Sequence, residues 1–78
     1  MKKTLIEKIK KSPKKPGIYQ FFSKEDEIIY IGKAKNLRNR LKNYLDIKNL
    51  TTRITKMTLN AERLEVILTN NEIEALLL

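Results

Sequence analysis

Hydrophobic and polar residues alternate along this chain in a way that predicts several short elements. In residues 4–11, Leu5 and Ile9 lie four positions apart among Lys and Glu, which is typical of a short amphipathic helix. Residues 17–22 (GIYQFF) and 28–33 (IIYIGK) are rich in β-branched and aromatic residues, and a polar stretch separates them. These two segments predict a β-hairpin.

The segment that follows predicts a helix with one buried side. Asn36 is a candidate N-cap, and the helix is expected to run to about residue 45. Arg40 falls just outside the apolar arc of this helix, and Arg38 lies beyond its other edge. At 100° per residue, the arc that must face the core contains Leu37, Leu41, Tyr44 and Leu45.

The rest of the chain, from residue 46 onward, gives a mixed pattern. Residues 46–49 predict a loop, and residues 51–60 stay ambiguous because a helical spacing of apolar residues coincides with threonines that disfavour a helix. Residues 63–68 (RLEVIL) predict a third strand. Residues 70–78 predict a final helix, with Glu74 completing a capping box. The order α-β-β-α-(α)-β-α predicts an α+β fold, one domain over residues 1–78 with helices packed on a three-stranded sheet.

Composition restricts the chemistry that this domain can perform. The 78 residues include no cysteine and no histidine, which excludes disulfides, thiol catalysis, Cys/His zinc sites and imidazole bases. Seventeen Lys and Arg against nine Asp and Glu give a net charge of +8, which favours a polyanionic partner, either nucleic acid or an anionic membrane surface. No apolar run is long enough to span a bilayer, and the first residues lack the apolar stretch of a signal peptide, so we expect a cytoplasmic protein.

The basic residues are concentrated in the first part of the chain. Residues 1–48 hold fourteen Lys and Arg against five Asp and Glu, whereas residues 49–78 hold three against four. For scattered lysines, solvated faces that keep a small domain soluble are the more common explanation. That explanation is weaker for the cluster beside two tyrosines and a glycine, which comprises Lys33, Lys35, Arg38, Arg40, Lys42 and Lys48.

One set of residues combines phenols with cations: Tyr19, Tyr30, Lys33 and Arg40. Because alternate side chains share a face of a strand, the two tyrosines lie together only if paired positions sum to an odd number. We predict a register that pairs Tyr19 with Tyr30 and leaves a four-residue loop. Gly32 would then let a bulky ligand or another backbone approach the end of the second strand.

Two phenols among cations suit phosphodiester chemistry. A nearby cation favours the phenolate form of Tyr30, which is then a more accessible general base. A guanidinium such as that of Arg40 can hold phosphate oxygens bidentately while charge builds on them. From the residues alone, however, a half-buried structural role for the tyrosines is the more common case, and a solvated position for Arg40 is as frequent as a functional one.

The triplets Gly-Ile-Tyr at residues 17–19 and Tyr-Ile-Gly at residues 30–32 resemble the two signature triplets of the GIY-YIG nuclease superfamily. The surrounding residues are most similar to the N-terminal nuclease domain of the UvrC family, which incises DNA in bacterial nucleotide excision repair. This resemblance runs from about Leu5 to Leu78. It is carried by KPGIY (15–19), IYIGKAKNL (29–37), Arg40-Leu41 with Tyr44-Leu45, and EALLL (74–78).

The resemblance implies a small antiparallel sheet flanked by helices (the GIY-YIG fold), and hydrolysis of one DNA phosphodiester on the 3′ side of a lesion. By position, Tyr30 would be the general base and Arg40 would hold the scissile phosphate. Tyr19 would order the site, Lys33 would support the phosphate or the tyrosine, and Tyr44 would complete the wall. Gly17 and Gly32 would be structural. Expected DNA-binding residues are Lys14, Lys15, Lys33, Lys35, Arg38, Arg40 and Lys42. Expected partners are DNA and, through regions outside this chain, UvrB, with no membrane.

The family's Mg²⁺ or Mn²⁺ ligand is a glutamate that directly follows the EALLL run, so the equivalent residue is expected after Leu78. Glu74 lies about 140° away around the helix and Glu72 about 10 Å away along it, so neither is expected to replace that ligand. We therefore expect these 78 residues to bind the metal poorly and to cut DNA weakly or not at all. Two alternatives remain. One is a non-catalytic basic nucleic-acid-binding module. The other is a basic amphipathic peptide that docks on anionic lipid through residues 4–15, against which the two strand signals argue.

Overall fold

The computed structural model describes residues 1–70. Its three strands form one antiparallel sheet of order β2-β1-β3, and the helices follow the predicted sequence of elements. The elements are α1 (Lys3–Lys11), β1 (Gly17–Phe22), β2 (Ile28–Ala34), α2 (Leu37–Lys42), α3 (Thr52–Asn60) and β3 (Arg63–Leu68), with 3₁₀ turns at Asn43–Leu45 and Ile47–Asn49. The α+β prediction is confirmed. The predicted final helix, with Glu72, Glu74 and its apolar stripe, lies outside the described residues from residue 71 onward.

Local side-chain caps explain where two helices begin. The side-chain oxygen of Asn36 accepts a hydrogen bond from the backbone N–H of Asn39 (3.1 Å), as expected for an N-cap of α2. The hydroxyl of Thr51 accepts in the same way from the N–H of Ile54 (3.2 Å), which starts α3 and resolves the ambiguity of residues 51–60 in favour of a helix. The α-helical part of α2 ends at Lys42, and the chain continues to Leu45 as a tighter 3₁₀ turn.

The core lies on one face of the sheet. It is built from α1, β1, α2 and β3, and its buried members include Leu5, Ile9, Tyr19, Phe21, Leu37, Leu41, Tyr44 and Leu64. Leu5 and Ile9 are 3% and 0% exposed. The apolar side of α1 is therefore buried in the core and is not available to lipid. Within the described residues, the helices are too short to cross a bilayer.

The pairing of β1 with β2 corrects the predicted register. Tyr19 lies opposite Gly32, and Phe21 lies opposite Tyr30, so the strands are offset by two residues from the predicted pairing of Tyr19 with Tyr30. The sum of paired positions is still odd from Gly17 to Phe21, and Tyr19 and Tyr30 do share a face. The offset is accompanied by an irregularity between Phe21 and Phe22, where the next pair is Phe22 with Ile28. Along its other edge, β1 pairs with β3 in a continuous antiparallel register, in which Tyr19 lies opposite Val66.

Candidate active site

Three tyrosines converge at the margin of the core. The hydroxyl oxygens of Tyr19 and Tyr44 are 2.6 Å apart, and both residues are buried. The ring of Tyr30 stacks on that of Tyr19 with centroids 6.3 Å apart and an interplanar angle of 24°. It also meets the ring of Tyr44 nearly edge-on, at 6.3 Å and 73°. Tyr30 is only half-buried, so it is the one of the three phenols with substantial access to solvent.

Gly32 makes room for this arrangement. A Cβ at Gly32 would overlap the end of the Tyr19 phenol, because the two residues are paired across β1 and β2. The prediction that Gly32 admits a ligand or another backbone is therefore wrong, since the space is already taken by Tyr19. Gly17 has a similar constraint, because its Cβ would overlap the carbonyl oxygen of Ile67 and the side chain of Leu37. Neither glycine has a positive φ, so close approach and not backbone conformation requires them.

Arg40 links the tyrosine cluster to the surface. Its Nε donates to the hydroxyl oxygen of Tyr19 at 3.4 Å, a long hydrogen bond, while the residue as a whole is exposed. The hydrogen bond and the proximity of Tyr19 raise the pKa of Arg40 further above its ordinary value, so the guanidinium keeps its charge. Because Nε is directed to Tyr19, the terminal Nη groups are the donors left for a ligand.

Tyr44 is held in its neutral form. Burial, followed by the hydrogen bond to Tyr19, raises the pKa of Tyr44 well above its ordinary value of 10.0. A phenol in this environment is poorly suited to act as a base near neutral pH. Tyr44 is thus hydrogen-bonded to the hydroxyl of Tyr19, and its expected role in the wall of the site stays a prediction.

An open groove of about 420 Å³ lies beside the cluster. It is lined by Lys33, Ala34, Lys35, Asn36, Asn39, Arg40 and Asn43. The groove thus brings together two predicted catalytic residues, Lys33 and Arg40, with the predicted DNA-binding residue Lys35. The carboxamides of Asn39 and Asn43 were missed from the sequence. They could have been found from helical geometry, since Asn43 lies three positions after Arg40 and four after Asn39, which are the spacings of neighbours on a helix surface.

The other predicted DNA-binding residues lie around the groove. Lys14 and Lys15 are exposed in the loop between α1 and β1, and Lys42 is exposed on α2 without lining the groove. Arg38 is half-buried, and its Nε donates to the backbone carbonyl of Ser12 at 2.7 Å. Arg38 therefore fastens that loop to α2, in addition to the DNA contact predicted for it.

The described residues bring no cluster of candidate metal ligands together. The groove is lined by cations and carboxamides and contains no carboxylate. Over residues 1–70 no group of three or more His, Cys, Asp or Glu side chains comes together. Magnesium prefers oxygen ligands that include at least one carboxylate. Residues 1–70 thus place cations and carboxamides in the groove and gather no cluster of candidate metal ligands there.

Comparison with known proteins gives consistent similarities. The family described as "UvrC-like GIY-YIG domain" matches residues 15–78. A relative named "UvrABC system protein C" from Wolbachia pipientis wMel is 47% identical over 72 residues, which is 92% of this chain and 12% of the relative. One with the same name from Borrelia duttonii (strain Ly) is 49% identical over 75 residues, or 95% of this chain and 12% of that protein. The chain thus spans about an eighth of the length of these relatives.

A solved structure extends the similarity to three dimensions. The GIY-YIG N-terminal endonuclease domain of UvrC from Thermotoga maritima, bound to magnesium as its catalytic divalent cation, is 42% identical to this chain. The two superpose with a TM-score of 0.91, over 99% of this chain and 83% of that domain.

Proposed function

This chain belongs to the UvrC-like GIY-YIG domain family, and we propose that it is the DNA-cutting domain of a UvrC-type protein, hydrolysing one phosphodiester on the 3′ side of a lesion. Family membership confirms the resemblance that the two triplets indicated. The fold agrees as well, since the sheet and its flanking helices superpose on the endonuclease domain from Thermotoga maritima. The relatives are much longer proteins, so the incision reaction and its partners are proposals for this chain.

One observation carries the proposal: a guanidinium and three phenols meet beside a groove rich in cations. Arg40 is bonded to Tyr19, Tyr30 stacks on Tyr19, and Arg40 also lines the groove together with Lys33. A purely structural tyrosine cluster needs neither an exposed guanidinium at its edge nor a second cation in the same groove. A phosphodiester that is about to be cleaved benefits from both.

In the proposed mechanism, Arg40 and Lys33 bind the phosphate. The Nη groups of Arg40 donate to its non-bridging oxygens, and Lys33 adds a second positive charge from the end of β2. Negative charge on these oxygens grows as the reaction proceeds, so donors that are already in position stabilise the transition state more than the ground state. The bond from Arg40 to Tyr19 holds the guanidinium in place for this task.

Tyr30 then acts as the general base. After its own phenolic proton has passed to solvent, the Tyr30 oxygen takes a proton from a water molecule. The oxygen of that water attacks phosphorus, so a new P–O bond forms and the P–O bond to the leaving sugar oxygen breaks. That oxygen takes a proton from solvent, which leaves one strand end with a phosphate and the other with a hydroxyl. Tyr30 suits this role because it is the half-buried member of the cluster, whereas Tyr19 and Tyr44 are buried against each other.

A divalent cation is part of the proposal by family alone. The similar domain from Thermotoga maritima binds a catalytic magnesium. Such an ion would neutralise charge on the phosphate. Residues 1–70 gather no group of three or more carboxylate, His or Cys side chains that could hold it. We propose that the ligand is a glutamate after Leu78, that DNA occupies the groove, and that UvrB binds the longer protein through regions outside this chain.

The test is nicking of supercoiled plasmid DNA in Mg²⁺ or Mn²⁺, with EDTA as control. The 78-residue chain is compared with an extended chain, in which the residues that follow the same run in the Wolbachia relative continue it past Leu78. We expect the extended chain to nick and the shorter one to be weak or inactive. If Arg40→Ala in the extended chain leaves nicking intact, the site assignment is wrong.

A non-catalytic DNA-binding module is the second candidate. The observation that favours it is the groove itself, which contains cations and carboxamides but no carboxylate among the described residues. Such a module would bind duplex DNA with an affinity that falls steeply with salt, by a log–log slope of about −0.9 per phosphate contact. Salt-dependent binding without nicking by the extended chain would select this candidate over the nuclease.

A further inference from the structure

The two ends of the sheet carry opposite charge. At one end Phe22 pairs with Ile28 and Arg63, and the turn between β1 and β2 begins there. This end holds Glu25, Asp26, Glu27 and Glu62, the last of which donates its backbone N–H to the carbonyl of Phe22 (2.7 Å). At the other end Gly17 pairs with Ala34 and Leu68, and there the chain carries Lys14, Lys15, Lys33 and Lys35.

Two cations at the acidic end, Lys2 and Arg63, are already paired, and Lys2 forms its ion pair with Glu62. Arg63 forms ion pairs with Asp26 and with Glu65 (2.7 Å), and its guanidinium lies 3.9 Å from the centre of the Phe22 ring. The turn between β1 and β2 contributes one further basic residue, Lys24, among three acidic ones. A polyanion that approached this end would therefore meet mainly carboxylates.

The basic end is fixed next to the groove by backbone hydrogen bonds. The N–H of Leu37 donates to the carbonyl of Lys15 (3.0 Å), and the N–H of Arg38 donates to that of Pro13 (3.2 Å). These bonds hold the loop between α1 and β1 against the first turn of α2, which also supplies Asn36 and Asn39 to the groove. The exposed side chains of Lys14 and Lys15 take no part in these backbone bonds.

The basic surface continues beyond this loop into α1. Lys10 and Lys11 are exposed in the last turn of the helix, immediately before Ser12, whose carbonyl accepts from Arg38. Cations thus extend from the groove across the loop and onto the end of α1. We name this surface the exit track and define it by Lys10, Lys11, Lys14 and Lys15.

We propose that DNA bound in the groove leaves it along the exit track and not past the turn between β1 and β2. This inference rests on the proposed function and adds the direction of the duplex. Lys10 and Lys11 thereby become phosphate contacts, although neither belongs to the residues predicted from the sequence. Duplex DNA carries one negative charge per about 1.7 Å of helix axis, so it offers phosphates continuously along such a track.

The experiment measures binding of the 78-residue chain to a fluorescein-labelled 30-base-pair duplex by anisotropy, from 50 to 200 mM salt. The variant Lys14→Gln/Lys15→Gln is compared with Lys24→Gln/Lys56→Gln, which removes the same charge from the β1–β2 turn and from α3. With a log–log slope of about −0.9 per phosphate contact, each contact strengthens binding at 0.1 M salt about eightfold relative to 1 M salt. We expect the track variant to lose at least tenfold and its slope to fall by about 1.8, and the matched variant to lose less than threefold.

A second variant, Lys10→Gln/Lys11→Gln, tests the distal part of the track and is expected to weaken binding in the same direction by a smaller factor. Thermal unfolding followed by circular dichroism checks that every variant folds. Equal losses from the track and matched variants, or no loss from either track variant, would overturn the path. Because plasmid nicking by the extended chain is measured separately, a wrong path and a wrong function give different results.

Discussion

The candidate site has a closed half and an open half that differ in what holds them. In the closed half, Tyr19 and Tyr44 are buried, bonded to each other, and placed by the gap that Gly32 leaves. In the open half, Tyr30 is half-buried, and Lys33 and Arg40 line the open groove. Packing in the core holds the residues of the closed half, whereas the residues of the open half are set apart by their exposure to solvent. Substitutions in the two halves should therefore be read out by different measurements.

Arg40 is the connection between the halves. Its Nε is bonded to Tyr19 of the closed half, while its exposed end belongs to the groove. Any substitution that displaces Tyr19 or Tyr44 should thus lower the rate of the reaction by moving Arg40. A change confined to the open half should leave the free energy of unfolding almost unaltered.

Tyr30→Phe should separate the halves most strongly. Removal of the hydroxyl takes away the proposed general base, which is worth about 10²- to 10⁴-fold, or roughly 2.7 to 5.4 kcal/mol in the activation barrier. The half-buried ring and its stacking on Tyr19 remain, so stability should change by less than about 0.5 kcal/mol. Plasmid nicking by the extended chain and urea unfolding measure the two effects. A large loss of stability with little loss of nicking would reverse the assignment of Tyr30 to the open half.

Gly32→Ala should perturb the closed half by an intermediate amount. The added methyl group competes with the Tyr19 phenol for the same space, and overpacking of this kind costs about 1–3 kcal/mol. Urea unfolding should show this loss, and nicking should fall because Tyr19 no longer supports Arg40. Ile31→Ala is the control, since that side chain is 57% exposed on the same strand and should cost far less. Similar stabilities for the two variants would show that Tyr19 does not depend on Gly32.

Tyr44→Phe should give the smallest effect at neutral pH, about 1 kcal/mol, because one buried hydrogen bond is lost while the ring stays packed. Its signature is the pH dependence. The pKa of Tyr44 is raised in the folded state, so the unfolded chain releases this proton first, near its ordinary pKa of 10.0. Stability is therefore fully present below pH 10 and falls above it, by at most about 1.4 kcal/mol per pH unit. Urea unfolding from pH 8 to 11 should show a shallower fall in the variant, and parallel curves would contradict the assignment.

Much of the fold follows from local patterns. The alternation in residues 63–68 predicts β3 with the bounds that the structure has, and Asn36 marks the start of α2. The register of the hairpin was only partly predictable. Whether paired positions sum to an odd or an even number follows from the need to place Tyr19 and Phe21 in the core. The offset of two residues, however, depends on an irregularity near Phe22 that no glycine or other local residue indicates.

The chemistry of the site was also predictable in part. Lys33 and Arg40 do line one groove, and Tyr19 and Tyr30 do share a face, because helix and strand periodicity place them. The bond between the hydroxyls of Tyr19 and Tyr44 spans 25 positions of sequence, and tertiary packing alone creates it. The actual neighbour of Gly32 was missed for the same reason, since it depends on the register and not on the local sequence.

The stagger of the hairpin has a consequence for anyone who transplants or redesigns this site. Aligned symmetrically, the two triplets would put glycine against glycine and tyrosine against tyrosine. The observed offset instead places Tyr19 against Gly32, so the two rings become diagonal neighbours and can lie face to face. A scaffold that copies both triplets but pairs Tyr19 with Tyr30 would keep every motif residue. It would lose the diagonal placement of the two tyrosine rings. A redesign of this site must therefore reproduce the register of the two strands as well as the side chains.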